Sequence, residues 1–404
     1  MEKRKLWIGA AVVVALVVLF FVGREISNWQ QNKQAASTEQ AQQKRMVAQA
    51  KQTLHQVCRY ADSVGIDTSR FTVATSATFD EITSKTHQLL MEARYGKKPS
   101  MMVFDGLDEK LDSAWVAKAD TSFTPSLLSN TSFMPYKQLV GHYNRLRNQS
   151  KNNPAIADSL RLVRQTLNFY RYINRFEPDR FVLVNIPAGE LNVLDKTGRH
   201  MLPAMRVIAG KKDKRTPCMT TYIKDIVAYP YWNVPKSIAT KEMLPKIQKD
   251  VAFLYNQNLE VLDSRNKVVD PEDVDWNELS ETNFPYRIRQ ASGCENSLGL
   301  IKFDLENPLA IYLHDTNGRD LFTVTNDRWR SHGCVRVQKP VELANFVLGK
   351  ETFDAGFMNR CLIDQKPQTL SIPKPFPVFI TYNVADVDAA GRLRFYKDVY
   401  EVAK

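Results

Sequence analysis

At Arg180 the chain changes period, and no other feature constrains its fold as much. Before that point apolar residues recur at helical spacing: Leu160, Val163, Leu167, Tyr170 and Ile173 share one face of a helix. After it come short β-branched runs. Phe181-Val-Leu-Val-Asn-Ile is closed by Pro187, and Glu190-Leu-Asn-Val-Leu alternates after a Pro-Ala-Gly turn. Arg206-Val-Ile-Ala-Gly210 and Tyr222 to Ala228 continue the series, and Leu300-Ile-Lys-Phe303 and Ala310-Ile-Tyr-Leu-His314 resume it. Short strands joined by Gly, Pro and charged turns predict a β sandwich or barrel. A helix over Val341 to Leu348 and a last strand over Phe376 to Tyr382 complete it. In the Ala310–His314 run, alternation puts His314 on the face opposite Leu313.

Between about Trp232 and Arg289 the strand rhythm stops. Ser237 to Asn256 reads as helix, with Met243, Leu244, Ile247, Val251 and Leu254 on one face. The region 58–177 alternates helical segments with turn-rich pieces, and Phe169, Tyr170 and Tyr172 read as core of an amphipathic helix rather than as a cofactor box.

Leu6 to Val22 holds seventeen consecutive residues without a charge, preceded by Lys3-Arg4-Lys5 and followed by Arg24. At about 1.5 Å per residue such a helix is slightly short for a ~30 Å hydrocarbon core, with Lys5 and Arg24 able to snorkel. The basic flank keeps the short N-terminal tip in the cytoplasm and exports the rest. Phe20-Phe21-Val22-Gly23-Arg24 is a poor cleavage site, so the expectation is an uncleaved transmembrane anchor. Residues 28–57, rich in Gln, Ala and Lys, read as a helical stalk or a linker. The fold class expected is α+β. One transmembrane helix (1–27) and the stalk precede a mainly helical scaffold domain (58–177), followed by a β-rich domain (178–404) with an insertion at about 232–290.

The net charge of +11 comes from Lys and Arg scattered singly or in pairs, with no basic stripe interleaved with aromatics, so nucleic acid is not an expected partner. None of the five cysteines lies in a C-x-x-C pair and no H-E-x-x-H occurs, which argues against zinc. In an exported chain Cys58, Cys218, Cys294 and Cys361 can form two disulfides while Cys334 stays free; all five reduced is the alternative.

The chemistry concentrates in Ser331-His332-Gly333-Cys334-Val335-Arg336, with His314 upstream. Two of the chain's six histidines bracket one thiol. An imidazole that takes the thiol's proton makes a nucleophile, and its cation then stabilises the thiolate. Gly333 lets the backbone turn sharply and offer N–H groups, its own and that of Cys334, to an oxyanion. Either His314 or His332 can be the base on spacing alone. Arg336 can hold a carboxylate or brace the loop.

This string, with sixteen residues between His314 and Ser331, resembles the signature of the YkuD-type L,D-transpeptidases, and Arg336 matches their large periplasmic branch. Phe181–Pro187, Thr216-Pro217, Tyr229-Pro-Tyr-Trp-Asn-Val-Pro235, Leu298–Phe303 and Tyr312–Thr316 also resemble that branch, so the likeness covers about residues 155–400. It implies a β-rich catalytic domain with the cysteine in a loop at a cleft, and an inserted lid subdomain capping that cleft. It further implies peptidoglycan stem peptides as substrates, 3→3 cross-links through a Cys334 thioester, and His314 as the base. Tyr312 and Trp232 would line the cleft with Ser331 and Arg336 as substrate-binding residues. No cofactor or metal is needed, and the setting is the periplasmic face of a bacterial inner membrane, among proteins of cell-wall synthesis. An L,D-carboxypeptidase or cross-link hydrolase using the same thiol, and a non-enzymatic wall tether, are the alternatives.

Overall fold

The structure, a computed structural model, describes residues 2–403 except 122, 129–131, 151–152, 325, 361 and 363–364, and for 2–15, 120, 121 and 127 the backbone alone. The chain divides into two compact units, Met1–Ala93 with Ser113–Leu128, and Arg94–Asp112 with Ser129–Lys404.

The first unit is helical. Helix α1 (Glu2–Ser63) runs unbroken through the expected span and stalk. It is exposed from Leu16 to Met46, and its last turns then bury Leu54, Val57 and Ala61. Against it packs α2 (Phe79–Tyr95), opened by a reciprocal cap in which Glu81 Oε2 accepts the Thr78 N–H at 2.8 Å and Thr78 Oγ1 accepts the Glu81 N–H at 3.3 Å. Helix α3 (Val116–Thr121) completes the unit. Among the described residues no helix is long and apolar enough to cross a membrane. Most side chains of the expected span Leu6–Val22 lie outside the described residues, and its described part, Leu16 to Val22, is exposed.

The second unit is built on a closed sheet. In chain order it comprises β1 (Met102–Asp105), α4 (Met134–Ser150), α5 (Ala157–Ile173), β2 (Arg180–Asn185), β3 (Glu190–Asp195), β4 (Met205–Gly210) and β5 (Cys218–Ala228). A capping segment follows: β6 (Trp232–Asn233), α6 (Lys236–Ile238), α7 (Leu244–Lys249), α8 (Ala252–Asn256), β7 (Leu259–Leu262), β8 (Val268–Val269) and β9 (Arg287–Gln290). Then come β10 (Ile301–Leu305), β11 (Leu313–His314), β12 (Trp329–Ser331), β13 (Val335–Val337), α9 (Pro340–Leu348), β14 (Gln368–Thr381), β15 (Ala385–Val387) and β16 (Leu393–Phe395). The pairing β5-β10-β11-β13-β4-β3-β2-β14 returns to β5, so eight strands form a barrel-like ring, with β1 and β12 alongside β5 and β4. Closure removes the edges at which an open sheet would recruit another chain.

All five apolar positions read as one face of a helix, Leu160 to Ile173, are buried in α5. The helix covers the barrel, with Phe169 6.4 Å and Phe176, just beyond its end, 5.7 Å from the Phe379 ring of β14. The strand expected over Ala310–His314 is shorter. Asn307 accepts the N–H groups of Leu309 and Ile311 and donates to the Ile311 carbonyl, so its side chain takes the backbone groups a strand would need.

The insertion corrects a second expectation. It is not a helical lid but an α/β subdomain, with a four-stranded sheet ordered β6-β9-β7-β8. It has its own core of Ile238, Leu244, Ile247, Leu254, Val261, Trp276 and Ile288. Its β7–β8 hairpin turns through Asn266 at φ 65°, where the Asp263 carboxylate accepts the N–H groups of Arg265 and Lys267. The helical run breaks at Asp250, whose carboxylate caps Ala252. Cys58, Cys218 and Cys334 are free thiols and Cys294 is disulfide-bonded, which corrects both cysteine expectations; Cys361 lies outside the described residues.

The β15–β16 hairpin buries a carboxylate. Asp386 accepts the Tyr170 hydroxyl at 2.5 Å and the Val387 N–H at 2.8 Å, and burial pushes its pKa up to about 6. The native state therefore holds this proton more tightly than the unfolded chain, and stability falls as pH rises between about 4 and 6, by about 3 kcal/mol if no other group intervenes. Urea unfolding at pH 4, 5, 6 and 7 should show that decline in the wild type and a flatter profile in Asp386→Asn. An unchanged slope in the variant would remove Asp386 as its cause.

Candidate active site

Strands β11 and β13 run parallel and adjacent, with Leu313 opposite Val335 and His314 opposite Arg336, while antiparallel β10 sets Lys302 opposite His314. Phe303, Leu313 and Val335 point into the barrel core and are fully buried. The alternate positions therefore gather on the outer face, giving the row Lys302, His314, Arg336, with Tyr312 and Cys334 one step along it.

The loop into β13 is held from below. Gly333 has φ 125°, open to glycine alone, although the nearest obstacle to a Cβ there is Ile311 at 3.4 Å. Its carbonyl accepts the Thr216 hydroxyl at 2.7 Å. Thr216 is fixed in turn through the Tyr400 hydroxyl, which accepts the Thr216 N–H at 3.2 Å and donates to the Gly210 carbonyl at 2.7 Å. Ser331 is buried, and its hydroxyl donates to the Cys334 carbonyl at 2.5 Å while accepting the Gly333 N–H at 3.1 Å. Both expected uses of these residues change accordingly. Ser331 braces the loop rather than facing a cleft, and the Gly333 N–H is spent on it. Among the described residues no hydrogen bond uses the Cys334 N–H.

Cys334 is half-buried and donates to the Ala310 carbonyl at 3.6 Å, an oxygen presented by the Asn307-bound loop. Burial pushes its thiol up, offset in part by hydrogen bonds from Tyr312 and by the Lys302 and Arg336 cations. His314 is 4% exposed, and its Nδ1 has no hydrogen-bond partner. Burial, with the nearby Arg336 and Lys302 charges, brings its pKa down to about 3. Burial, with Arg336 and Lys302 nearby, thus favours the neutral imidazole, the protonation state from which a base accepts a proton. No hydrogen bond joins the thiol to either imidazole among the described residues.

His332 lies elsewhere on the rim, its Nε2 3.0 and 3.1 Å from the two oxygens of Glu242. Asp315, one residue from His314, is buried, and its carboxylate accepts the Leu300 N–H at 2.8 Å and pairs with Arg319 at 2.6 Å, so the carboxylate ties β10 to β11 and is engaged away from His314. Tyr312 packs edge-on to His314 at 5.6 Å, its ring faces the Lys302 ammonium at 4.7 Å, and its hydroxyl meets both Cys334 and Trp232. Trp232 starts the capping sheet, so the cap reaches the nucleophile through Tyr312. Arg336 is half-buried, its Nε has no hydrogen-bond partner, and it has no ion pair among the described residues. A half-buried guanidinium without a counter-ion is costly, and it is what an anionic ligand would neutralise.

Sequence reasoning passed over Lys302, Glu242, Lys214 and the Ala310 carbonyl. Lys302 carried a signal, since a charge between buried Ile301 and Phe303 must face outward. Glu242 carried none.

Residues 179–373 match the YkuD family, described as the L,D-transpeptidase catalytic domain. A Haemophilus influenzae protein named by inference as an L,D-transpeptidase is 36% identical over 219 residues, 54% of this chain and 44% of that protein, so the chain spans less than half the length of this relative. Two solved structures share 10% and 12% identity. One is the catalytic domain of an Enterococcus faecium L,D-transpeptidase acylated by ertapenem (50% of this chain and 98% of that one, TM-score 0.24). The other is L,D-transpeptidase 3 of Mycobacterium tuberculosis (50% and 61%, TM-score 0.23). The family match thus assigns residues 179–373, just under half of the chain, to the YkuD L,D-transpeptidase catalytic domain.

Proposed function

We propose that the chain is a peptidoglycan L,D-transpeptidase that forms 3→3 cross-links, held at a bacterial inner membrane by Leu6 to Val22 with its catalytic unit in the periplasm. The observation that carries the reading is the outer-face row, in which a neutral, buried His314 with an unpartnered Nδ1 flanks the free thiol and an unpaired Arg336.

In the mechanism, Cys334 rotates from the Ala310 carbonyl toward His314, which takes the thiol proton as sulfur attacks the carbonyl of the third stem residue. The oxyanion is received by the Cys334 N–H. The C–N bond to the terminal D-amino acid breaks, its nitrogen taking the proton from His314, and a thioester remains. The side-chain amine of a second stem then attacks the thioester, loses its proton to His314, and expels the sulfur, which is reprotonated. Arg336 anchors a stem carboxylate, and burial, with the Arg336 and Lys302 charges nearby, keeps His314 neutral. Tyr312 and Trp232 line the donor groove, and the capping segment 232–290 excludes water, which favours an amine over hydrolysis.

Intact-protein mass spectrometry should detect one covalent carbapenem adduct on the reduced, folded protein, lost in Cys334→Ser. No adduct on wild type would sink the acyl-transfer reading. The muropeptide profile of cells with and without Cys334 then identifies the acceptor. 3→3 dimers that depend on Cys334 support transfer, and tripeptides without dimers would mean transfer to water. A profile that ignores Cys334 would leave a wall tether.

A further inference from the structure

Glu242 lies in a π-helical turn, Ala239–Met243, between α6 and α7 of the cap. Such turns add a residue to a helix and re-aim its side chains. Its carboxylate meets two separate pieces of the catalytic rim: His332 Nε2 at 3.0 Å, next to Gly333, and the Lys214 ammonium. Lys214 belongs to the loop whose Thr216 holds the Gly333 carbonyl. The other charges nearby are engaged elsewhere. Lys241 pairs with Glu281 at 2.9 Å, Lys246 lies over Phe253, and Arg215 donates to the Lys212 carbonyl and stacks over Tyr400. The side chains of His332, Glu242 and Lys214 are 39%, 37% and 35% exposed, so they stand where a ligand would pass between cap and loop.

We infer that Glu242 is a positioning residue that clamps the cap onto the catalytic loop, holding His332 away from Cys334 and closing the groove between donor binding and transfer. The inference rests on the acyl-transfer reading for its purpose, but the clamp can be tested without it. Lys214 and His332 hold the Glu242 carboxyl below its ordinary range. The sign follows: the clamp's contribution is complete above pH 4.5 and is lost as acid protonates Glu242 below that.

The experiment compares the wild type with Glu242→Ala and Glu242→Gln in the full chain, using hydrogen-exchange protection of residues 236–249 at several pH values and the rate of carbapenem addition to Cys334. Wild-type protection should hold to about pH 4.5 and then drop, while Glu242→Ala should be about threefold to tenfold less protected at pH 7, without the acid step. Glu242→Gln, which keeps hydrogen bonding but not charge, should fall between them. Addition to Cys334 should slow by a similar factor in Glu242→Ala, with thermal unfolding little changed because the site is at the surface. Equal protection and the same acid step in wild type and Glu242→Ala would overturn the clamp. A wild type that takes no carbapenem would instead overturn acyl transfer, with the exchange data still deciding the clamp.

Discussion

Replacing His314 with Ala should slow acylation of Cys334 by about 10²- to 10⁴-fold, whereas His332→Ala should cost less than about tenfold. The asymmetry follows from where each ring sits. His332 is spent on Glu242, and its loss loosens a clamp. His314 shares the barrel's outer face with the thiol, is 4% exposed, and has an Nδ1 with no partner. The pH dependence separates a base from a bystander. With His314 held at about 3 and the Cys334 thiol pushed up by burial, both groups are neutral throughout the ordinary working range. Wild-type acylation by a carbapenem should therefore be nearly level between about pH 5 and 8, because a neutral base removes the proton during attack. His314→Ala can react only through the small fraction of free thiolate, so its residual rate should climb about tenfold per pH unit over that range. A level profile and full rate in His314→Ala, or a collapse confined to His332→Ala, would reverse the assignment.

The parts of this site visible in the sequence are those set by local chemistry. The alternation of Ile311, Tyr312, Leu313 and His314 separates core from outer face, and the structure has Leu313 in the core and His314 beside Arg336. The strand runs after Arg180 are equally local, since β-branched residues between turn signals form strands wherever they find partners. What pairs with what is not local. Closure of the ring depends on β14 meeting β5 across about 150 residues, with Ile380 opposite Met219, and no pattern inside either strand encodes that choice. The cap's sheet was hidden for a different reason: Leu259-Glu-Val-Leu and Arg287-Ile-Arg-Gln are too short to outweigh the helical run before them, and the β7–β8 hairpin that extends the sheet depends on one Asn at positive φ. Helices α4 and α5 look like scaffold in sequence, yet in space they share the barrel's core. Glu242 reaches the catalytic loop from 90 positions away, through a π turn that helical periodicity cannot register.

Gly299→Ala should destabilise the second unit by about 3–5 kcal/mol, among the largest costs of any one-methyl change in the chain. Two independent penalties meet there. Gly299 has φ +61°, and a side chain in that region costs about 1–2 kcal/mol on its own. A Cβ would also lie 2.1 Å from Asp315 Oδ2, 2.3 Å from its Cγ and 2.6 Å from its Cβ. The carboxylate has no room to retreat, because it is buried, accepts the Leu300 N–H at 2.8 Å and is paired with Arg319. Moving it breaks either the brace between β10 and β11 or a buried charge pair, each costly without its partner. Gly349→Ala is the control: φ is +69° but nothing lies within 4 Å of its Cβ, so only the backbone penalty of about 1–2 kcal/mol applies. Because Asp315 adjoins His314, Gly299→Ala should also lower carbapenem acylation under conditions where the variant remains folded, while Gly349→Ala should not. Urea unfolding of the two variants decides the matter. If their destabilisations agree within about 1 kcal/mol, the contact with Asp315 is not what keeps position 299 a glycine.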